Sequence, residues 1–373
     1  MGSMPATNAR IPPPNPDYQW DKYSTKRNNV NGHCECKWTP ETGWSEPEFV
    51  TSPYLQLHGL APGLHYGQHV YEGLQARRTQ DNNILIFRPE ANAQRMQQGA
   101  EAISMPAVPE ELFLKAVHLA VARNAEFVPP ADYTGSLYIR PLEFGSGCQI
   151  GLDQPDEYMF CVFVHPQGID LYGNGTLRAL VCEDFDRAAT RGTGSFKVGG
   201  NYAPVMKWSR EAKKPENGGW GVLLHVDSKT QTYIDEFSSS GFIALSTALD
   251  PDTQCERTTV VLATSPAALE SITAVTVSEL ASSFGWEVVK RQVSLDELTN
   301  FSEVLAVGTA AGLVSVSLIR HESTDRDFKF VENGPGYQKL SKMLKDIKHG
   351  RVLDTFGWCA PLRYEEFVST KEG

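Results

Sequence analysis

The stretch Arg191-Gly-Thr-Gly-Ser-Phe-Lys-Val-Gly-Gly-Asn-Tyr-Ala-Pro-Val205 sets a single lysine, Lys197, between two pairs of glycines. A glycine-rich loop that carries a lysine suggests a phosphate cradle, because bare backbone N–H groups can close on an anion. The nucleotide-binding spacing G-x-x-x-x-G-K-[ST] is absent. A surface turn with a solvated lysine fits the same residues equally well. A second run, Tyr233-Ile-Asp-Glu-Phe237, reads as a strand with two adjacent carboxylates whose side chains point to opposite faces. One of them can be buried while the other is solvated. A buried carboxylate is costly without a cationic partner, and a pyridinium nitrogen is one such partner. An exposed edge strand is the plainer alternative.

The elements that must position these residues alternate between strand and helix signals from Glu48 onward. Ile84–Phe87 is a short apolar strand. Pro89 then opens a helix, where its missing N–H costs nothing, and this helix runs to about Ile103. Residues 110–127 place Leu112, Phe113, Ala116, Val117, Ala120 and Val121 on one face, the pattern of an amphipathic helix. Leu137–Arg140 alternates like a strand and is expected to stop at Pro141. Tyr158–Val164, Leu177–Cys182, Val222–Leu224 and Val260–Leu262 are further strands, and Ser278–Phe284 and Tyr337–Ile347 read as helices. The breakers between His165 and Gly175 suggest an interdomain linker. The expected boundaries are an arm over 1–30, a small domain over 31–165, a linker over 166–176 and a larger domain over 177–373.

A chain of 373 residues argues for two domains. With 41% hydrophobic and 21% charged residues it has ordinary globular composition. A net charge of −11 argues against nucleic-acid binding as the main task, since phosphate contacts want a basic surface. An anionic substrate would therefore need locally placed cations or backbone amides. The 7 cysteines are scattered and odd in number, which argues against a disulfide framework and for a reducing compartment. His33-Cys34-Glu-Cys36 lacks a second ligand pair at metal-site spacing and reads as an incidental surface strand, so no metal is expected. No apolar run is long enough to span a membrane, and the proline-rich start has no secretory core, so the expected compartment is the cytoplasm.

Taken in order, seven segments resemble the branched-chain aminotransferases, fold-type IV enzymes that depend on pyridoxal 5'-phosphate (PLP). They are His65–Gly73, Phe87–Met96, Leu137–Pro141, the Lys197 loop, Tyr233–Glu236, Leu269–Thr273 and Glu303–Ala311, and the likeness runs from about Tyr54 to Arg351. It implies an α/β (α+β) fold with a smaller N-terminal α/β domain, a larger C-terminal domain on a β-barrel-like core, PLP in the cleft between them, and a homodimer.

The resemblance also assigns roles. Lys197 would form the Schiff base with PLP and then shuttle the proton at Cα, for which its amine needs desolvation or cationic neighbours. Glu236 would keep the pyridine nitrogen protonated, making the ring an electron sink. Tyr202 would hydrogen-bond the ring phenolate oxygen. Arg95 would grip the phosphate with its planar fork. The Ile272 and Thr273 amides, at a helix N-terminus, would bind the same phosphate with the Thr273 and Thr309 hydroxyls. Tyr71 and Tyr138 would wall an apolar substrate pocket, with Tyr66 supplied by the partner subunit. Arg140 would take the distal carboxylate of 2-oxoglutarate, and the Thr309–Ala310 backbone would complete the substrate contacts. Ordinary core aromatics and a structural ion pair are the plainer readings of Tyr71, Tyr138 and Arg140.

The sequence departs from the family at Ser238-Ser239-Ser240-Gly241, where a glycine, a threonine or glycine, a variable residue and an asparagine usually follow the acid. Ser239 would then replace the threonine hydroxyl near the cofactor. Ala311 and Val314 stand where mammalian members carry a Cys-x-x-Cys pair, so that thiol switch is absent. Because one methylene in a pocket is worth only about 1–3 kcal/mol, such changes bear directly on specificity. The expected activity is transamination of an L-branched-chain or similar apolar amino acid with 2-oxoglutarate. The alternatives are an amine or D-amino-acid transaminase, or a lyase, of the same fold, and a silent PLP-binding scaffold.

Overall fold

The computed structural model describes residues 10–20, 29–168, 175–249 and 256–368. The chain divides into two compact units, one of Met1–Ile169 together with Asp346–Gly373 and one of Asp170–Lys345. Among the described residues no helix is long and apolar enough to cross a membrane.

The first unit begins with β1 (His33–Thr39), β2 (Gly43–Trp44), β3 (Glu48–Val50), α1 (Pro62–His65), β4 (His69–Tyr71), β5 (Leu74–Arg78) and β6 (Ile84–Phe87). Helices α2 (Pro89–Ala102) and α3 (Glu110–Arg123) follow, then the long hairpin of β7 (Ser136–Gly145) and β8 (Tyr158–Gln167). Pro89 does stand at the start of α2, and α3 buries Phe113, Ala116, Val117, Ala120 and Val121 as its spacing predicts. The amphipathic pattern ends earlier than 127, because Ala125–Phe127 tightens into a separate 3-10 turn.

β7 does not stop at Pro141. It pairs with β8 along its whole length, from Ser136↔Gln167 to Gly145↔Tyr158. Its other edge is shared, with β5 opposite Leu137–Ile139 and β4 opposite Leu142–Phe144. Pro141 sits at the break between those neighbours, where its carbonyl accepts from the Glu72 N–H at 2.9 Å and no donor is called for. Leu137 and Ile139 point into the core, while Tyr138 and Arg140 stand on the opposite, more open face.

Two further expectations are corrected here. β1 is not a surface strand. It is paired on both edges, by β8 and by β2 and β3, and His33, Cys34 and Cys36 are buried. The domain boundary of 177–373 also differs from the observed division, because β18 (Cys359–Pro361) pairs with β6 and α7 (Tyr364–Val368) packs on α3. Of the expected arm, residues 10–20 lie against the first unit, with the Pro12 carbonyl accepting from Arg78 at 2.9 Å and the Asn15 N–H donating to the Glu126 carbonyl at 2.8 Å. The rest of the arm, apart from 29–30, lies outside the described residues. So does most of the expected linker, into which β8 reaches as far as Gln167.

The second unit contains β9 (Leu177–Cys182), α4 (Val205–Ala212), β10 (Val222–Val226), β11 (Ile234–Phe237), β12 (Gly241–Leu249), β13 (Glu256–Ala263) and α5 (Ile272–Ser283). It continues with β14 (Glu287–Arg291), β15 (Glu303–Gly308), β16 (Gly312–His321), β17 (Arg326–Lys329) and α6 (Pro335–Lys348), within which the division between units falls. The sheet order is β11-β10-β9-β16-β15-β12-β13-β14, with β17 on β16. Parallel and antiparallel pairs mix in it, and the apolar side chains of Val181, Leu224, Phe237, Phe242, Val304 and Ile319 fill its core. Each unit is built on one sheet, and the mixed α/β class is the one that the sequence led us to expect.

Candidate active site

The Lys197 loop is held by its own side chains. Asn201 Nδ2 donates to the carbonyls of Thr193 (2.7 Å) and Phe196 (3.0 Å), and its Oδ1 accepts from the Thr193 hydroxyl at 2.9 Å. Val198 is buried beside the lysine, which leaves Lys197 half-buried rather than solvated. Its Nζ donates to the Tyr202 hydroxyl at 3.2 Å. The five-residue spacing across the Gly199–Asn201 3-10 turn brings that ring back over the loop.

Glu236 lies on β11, opposite His225 of β10. The expectation that only one of Asp235 and Glu236 would be buried is overturned, since both are. The strand is covered on each face, and each carboxylate finds support within the unit. Glu236 Oε1 is paired with the Arg187 guanidinium and accepts from the Leu269 N–H at 3.3 Å. Burial raises Glu236 from 4.5 to about 7, against the opposing pull of Arg187, the Leu269 amide and Lys197. Lys197 therefore lies close enough to act on the carboxylate, as the spacing of a shared site requires. Asp235 is raised by burial too, and the Ser265 hydroxyl and Arg187 restrain it. A cavity of about 230 Å³ opens beside these groups, walled by Asp235, Glu236, Leu269, Glu270, Ser271 and Lys290 among others.

The remaining expected cofactor contacts approach from two turns. α5 starts at Ile272, six residues earlier than the sequence suggested. The hydroxyl of its N-cap, Ser271, accepts from Ala274 N at 3.2 Å, so the Ile272 and Thr273 amides are left as the open donors of the first turn. Thr309 and Ala310 form the turn between β15 and β16, with Gly308 packed near Ser239 and Ser240. A Cβ on Gly241 would stand 3.2 Å from that of Ser271, a tight contact between β12 and the turn in front of α5. Ser239 is exposed at the turn that follows β11.

The substrate candidates belong to the first unit, and three of them come together. The Arg140 guanidinium lies 5.0 Å from the centre of the Tyr71 ring and 5.1 Å from that of Tyr138, and donates to the Tyr138 hydroxyl at 3.1 Å. Tyr138 reaches this place because Gly73 has no side chain: a Cβ there would sit 2.0 Å from the hydroxyl. Tyr66 does not join the group. It is exposed at the end of α1, and its hydroxyl accepts from the Gly151 N–H at 3.0 Å. Arg95 is not an open fork. Its Nε and Nη2 donate to the two oxygens of the buried Glu72, both at 2.7 Å, a pairing that offsets the cost of burying that carboxylate.

Three side chains near the site carry no signal in the sequence. Arg187, ten residues before the lysine, is a lone basic residue in Asp-Phe-Asp-Arg until the fold buries it against Glu236. Glu72 sits next to the motif tyrosine but shows its pairing only in three dimensions. His225, buried on β10, shares a 3.0 Å hydrogen bond with the Ser238 hydroxyl, and burial lowers it to about 3, so it is neutral.

The arrangement suits PLP chemistry. A buried acid, a lysine with a phenol on its amine and the first-turn amides of α5 are the kinds of group that would meet a ring N–H, an aldehyde and a phosphate. The sequence pattern of class IV aminotransferases ("Amino-transferase class IV") matches residues 69–319. The aminotransferase TOXF of Cochliobolus carbonum is 62% identical over 94% of this chain and 98% of its own length. Aminotransferase apf4 of Gibberella fujikuroi is 58% identical over 96% of this chain and 94% of its own. Among solved structures, the branched-chain aminotransferase of Thermoproteus uzoniensis superposes with a TM-score of 0.70 at 23% identity, covering 88% of this chain and 99% of that one. The Thermobaculum terrenum enzyme in its PLP form gives 0.70 at 21% identity, covering 90% and 99%, which speaks to the fold. On this pattern and these relatives, the chain belongs to the class IV aminotransferases, enzymes that work with PLP.

Proposed function

We propose that this aminotransferase moves the amino group of an L-branched-chain or similar apolar amino acid to 2-oxoglutarate, with Lys197 as the catalytic residue. The observation that carries the proposal is the Lys197–Tyr202 hydrogen bond beside a buried Glu236. When bound, PLP supplies an electron-accepting ring that takes up the charge released at the substrate Cα. The protein's residues do the rest. Lys197 would hold the cofactor covalently and would carry the proton to and from Cα. Glu236 offers its second oxygen to the ring N–H and keeps that nitrogen charged. The Tyr202 hydroxyl holds the ring oxygen. The Ile272 and Thr273 amides, the Thr273 and Thr309 hydroxyls, Ser239 and Arg95 would hold the phosphate end.

For the substrate, Tyr71 and Tyr138 supply apolar wall, and Arg140, stacked between them, supplies a cation for a distal carboxylate. The Thr309–Ala310 backbone is the remaining substrate contact in this reading. The branched-chain names of the structural neighbours support the donor class. We further propose a homodimer in which Tyr66 serves the partner's site. Tyr54, Leu64, Ile150 and Leu152 expose large apolar side chains in the first unit, on segments that the Tyr66–Gly151 bond ties together. Sedimentation of the protein and of a Leu64→Glu, Leu152→Glu variant checks this. A wild type that stays monomeric at micromolar concentration overturns it. Cytoplasmic residence fits the unpaired state of the described cysteines, and imaging of a tagged chain tests it.

The deciding experiment is a panel of L-leucine, D-alanine and an R-amine with 2-oxoglutarate, run on the wild type and on Lys197→Ala. Turnover of L-leucine by the wild type, with none by the variant, is expected. Normal cofactor attachment and turnover by the variant removes the assignment of Lys197, and exclusive use of the D-amino acid or the amine replaces the substrate class.

A further inference from the structure

We propose that Arg187 is the positioning residue of this site: it holds Glu236 as a carboxylate and fastens the Lys197 loop to the turn in front of α5. The proposal rests on the roles given above to Lys197 and Glu236.

The geometry converges on one nitrogen. Nη2 of Arg187 donates to the carbonyl of Gly194 at 3.0 Å, within the Lys197 loop, and to the carbonyl of Ala267 at 2.6 Å, two residues before Leu269. The same nitrogen pairs with Glu236 Oε1, which also accepts from the Leu269 N–H. The loop, the turn and the acid-bearing strand thus share one buried guanidinium, of which 2% of the side-chain surface remains exposed. The loop and the turn are pressed together at this point. A Cβ on Gly194 would stand 2.3 Å from the Ala267 carbonyl oxygen. Nη2 carries two N–H groups for three acceptors, so at least one contact is shared or purely ionic, and the cation is committed to this one point.

The charges around Glu236 leave Arg187 the dominant favourable partner. Lys197 acts from its loop and Asp235 opposes from the same strand. His225 on the neighbouring strand is neutral, and Glu270 and Lys290 line the adjoining cavity with opposite signs. Removing Arg187 therefore exposes Glu236 to burial and to Asp235 with only Lys197 and one amide in compensation. The acid would then be protonated at neutral pH and would not hold a charged ring nitrogen.

The test uses the full chain stripped of PLP. Infrared difference titration follows the Glu236 carboxyl, identified by its loss in Glu236→Gln, in the wild type, Arg187→Met and Arg187→Lys. The Glu236 midpoint is expected to rise by about 1 to 3 pH units in Arg187→Met, the scale of a removed neighbouring guanidinium. PLP affinity at pH 7.5 should fall about threefold for a one-unit rise and about 200-fold for a three-unit rise, and recover at higher pH, a profile that a merely structural residue would not produce. Arg187→Lys should restore the midpoint but release PLP faster than the wild type, since its ammonium, on a shorter side chain, ends short of the point where Nη2 meets both Gly194 and Ala267. A folded Arg187→Met with an unchanged midpoint overturns the proposal. Should that variant not fold, Arg187→Lys decides: PLP release as slow as in the wild type overturns it, and faster release at an unchanged midpoint upholds it. Failure of Lys197→Ala to lose cofactor attachment would instead strike the functional reading and leave the Glu236 titration standing.

Discussion

Replacing Glu236 with glutamine should make the PLP-free protein more stable at alkaline pH while ruining it as an enzyme. Glu236 titrates near 4.5 when solvated and at about 7 in the folded chain, with burial as the leading cause. An acid raised in this way favours folding in its protonated form. The stability it contributes is complete below about pH 4.5 and is lost as pH climbs through about 7. That interval corresponds to about 3 kcal/mol at about 1.4 kcal/mol per pH unit. Glutamine copies the protonated shape, keeps an oxygen for Arg187 and the Leu269 N–H, and does not ionise. The two proteins should therefore melt alike near pH 5 and diverge above pH 7, glutamine the more stable. For a unit of this size the divergence should reach about 6 to 12 °C at pH 8.5. Calorimetry on stripped protein at a series of pH values reads it, and the difference between the two proteins cancels every other titrating group. Melting curves that stay parallel from pH 5 to 8.5, or a glutamine variant that is the weaker throughout, would refute the reasoning. With PLP present the order should reverse, because a charged ring N–H is stabilised far more by a carboxylate than by an amide oxygen.

Two smaller perturbations probe close approaches. Gly73→Ala drives a methyl group into the Tyr138 hydroxyl and must swing that ring off Arg140; KM for 2-oxoglutarate should rise severalfold while PLP affinity stays put, and unchanged steady-state kinetics would count against a substrate role for this cluster. Gly194→Ala meets a backbone oxygen that cannot yield, so a loss of about 1–3 kcal/mol is expected by chemical denaturation, together with weaker PLP binding; a neutral result would show the loop freer than its contacts indicate.

Local spacing made part of the site legible. Lys197 and Tyr202 lie five residues apart on one tight loop, so their meeting is nearly a property of the loop itself, and the acid of β11 stands out because carboxylates are rare in apolar strands. What escaped was whatever depends on burial from afar. Nothing in Tyr233–Phe237 says that both of its carboxylates will be covered, since the covering groups come from 187, 265 and 269. Arg95 reads as an open fork until Glu72, 23 residues away, arrives with a charge that the core must neutralise. Pro141 looked like a strand end, because a missing donor is harmless only where the neighbouring strand is interrupted, and that interruption is a fact of the sheet and not of the segment. α5 was expected too late for a related reason: its first turn, Ile-Thr-Ala-Val, is β-branched and apolar, and only Ser271 ahead of it marks the true cap.

The pairing of β18 with β6 carries a consequence for how the molecule is made. The first unit is assembled from two stretches separated by the whole of the second, which is continuous in sequence. On the ribosome, residues 170–345 can therefore close on themselves while the edge of β6 still waits for a partner that has not been synthesised. Chains interrupted in the last stretch of translation would leave that edge bare, and an unpaired strand edge invites association with other chains.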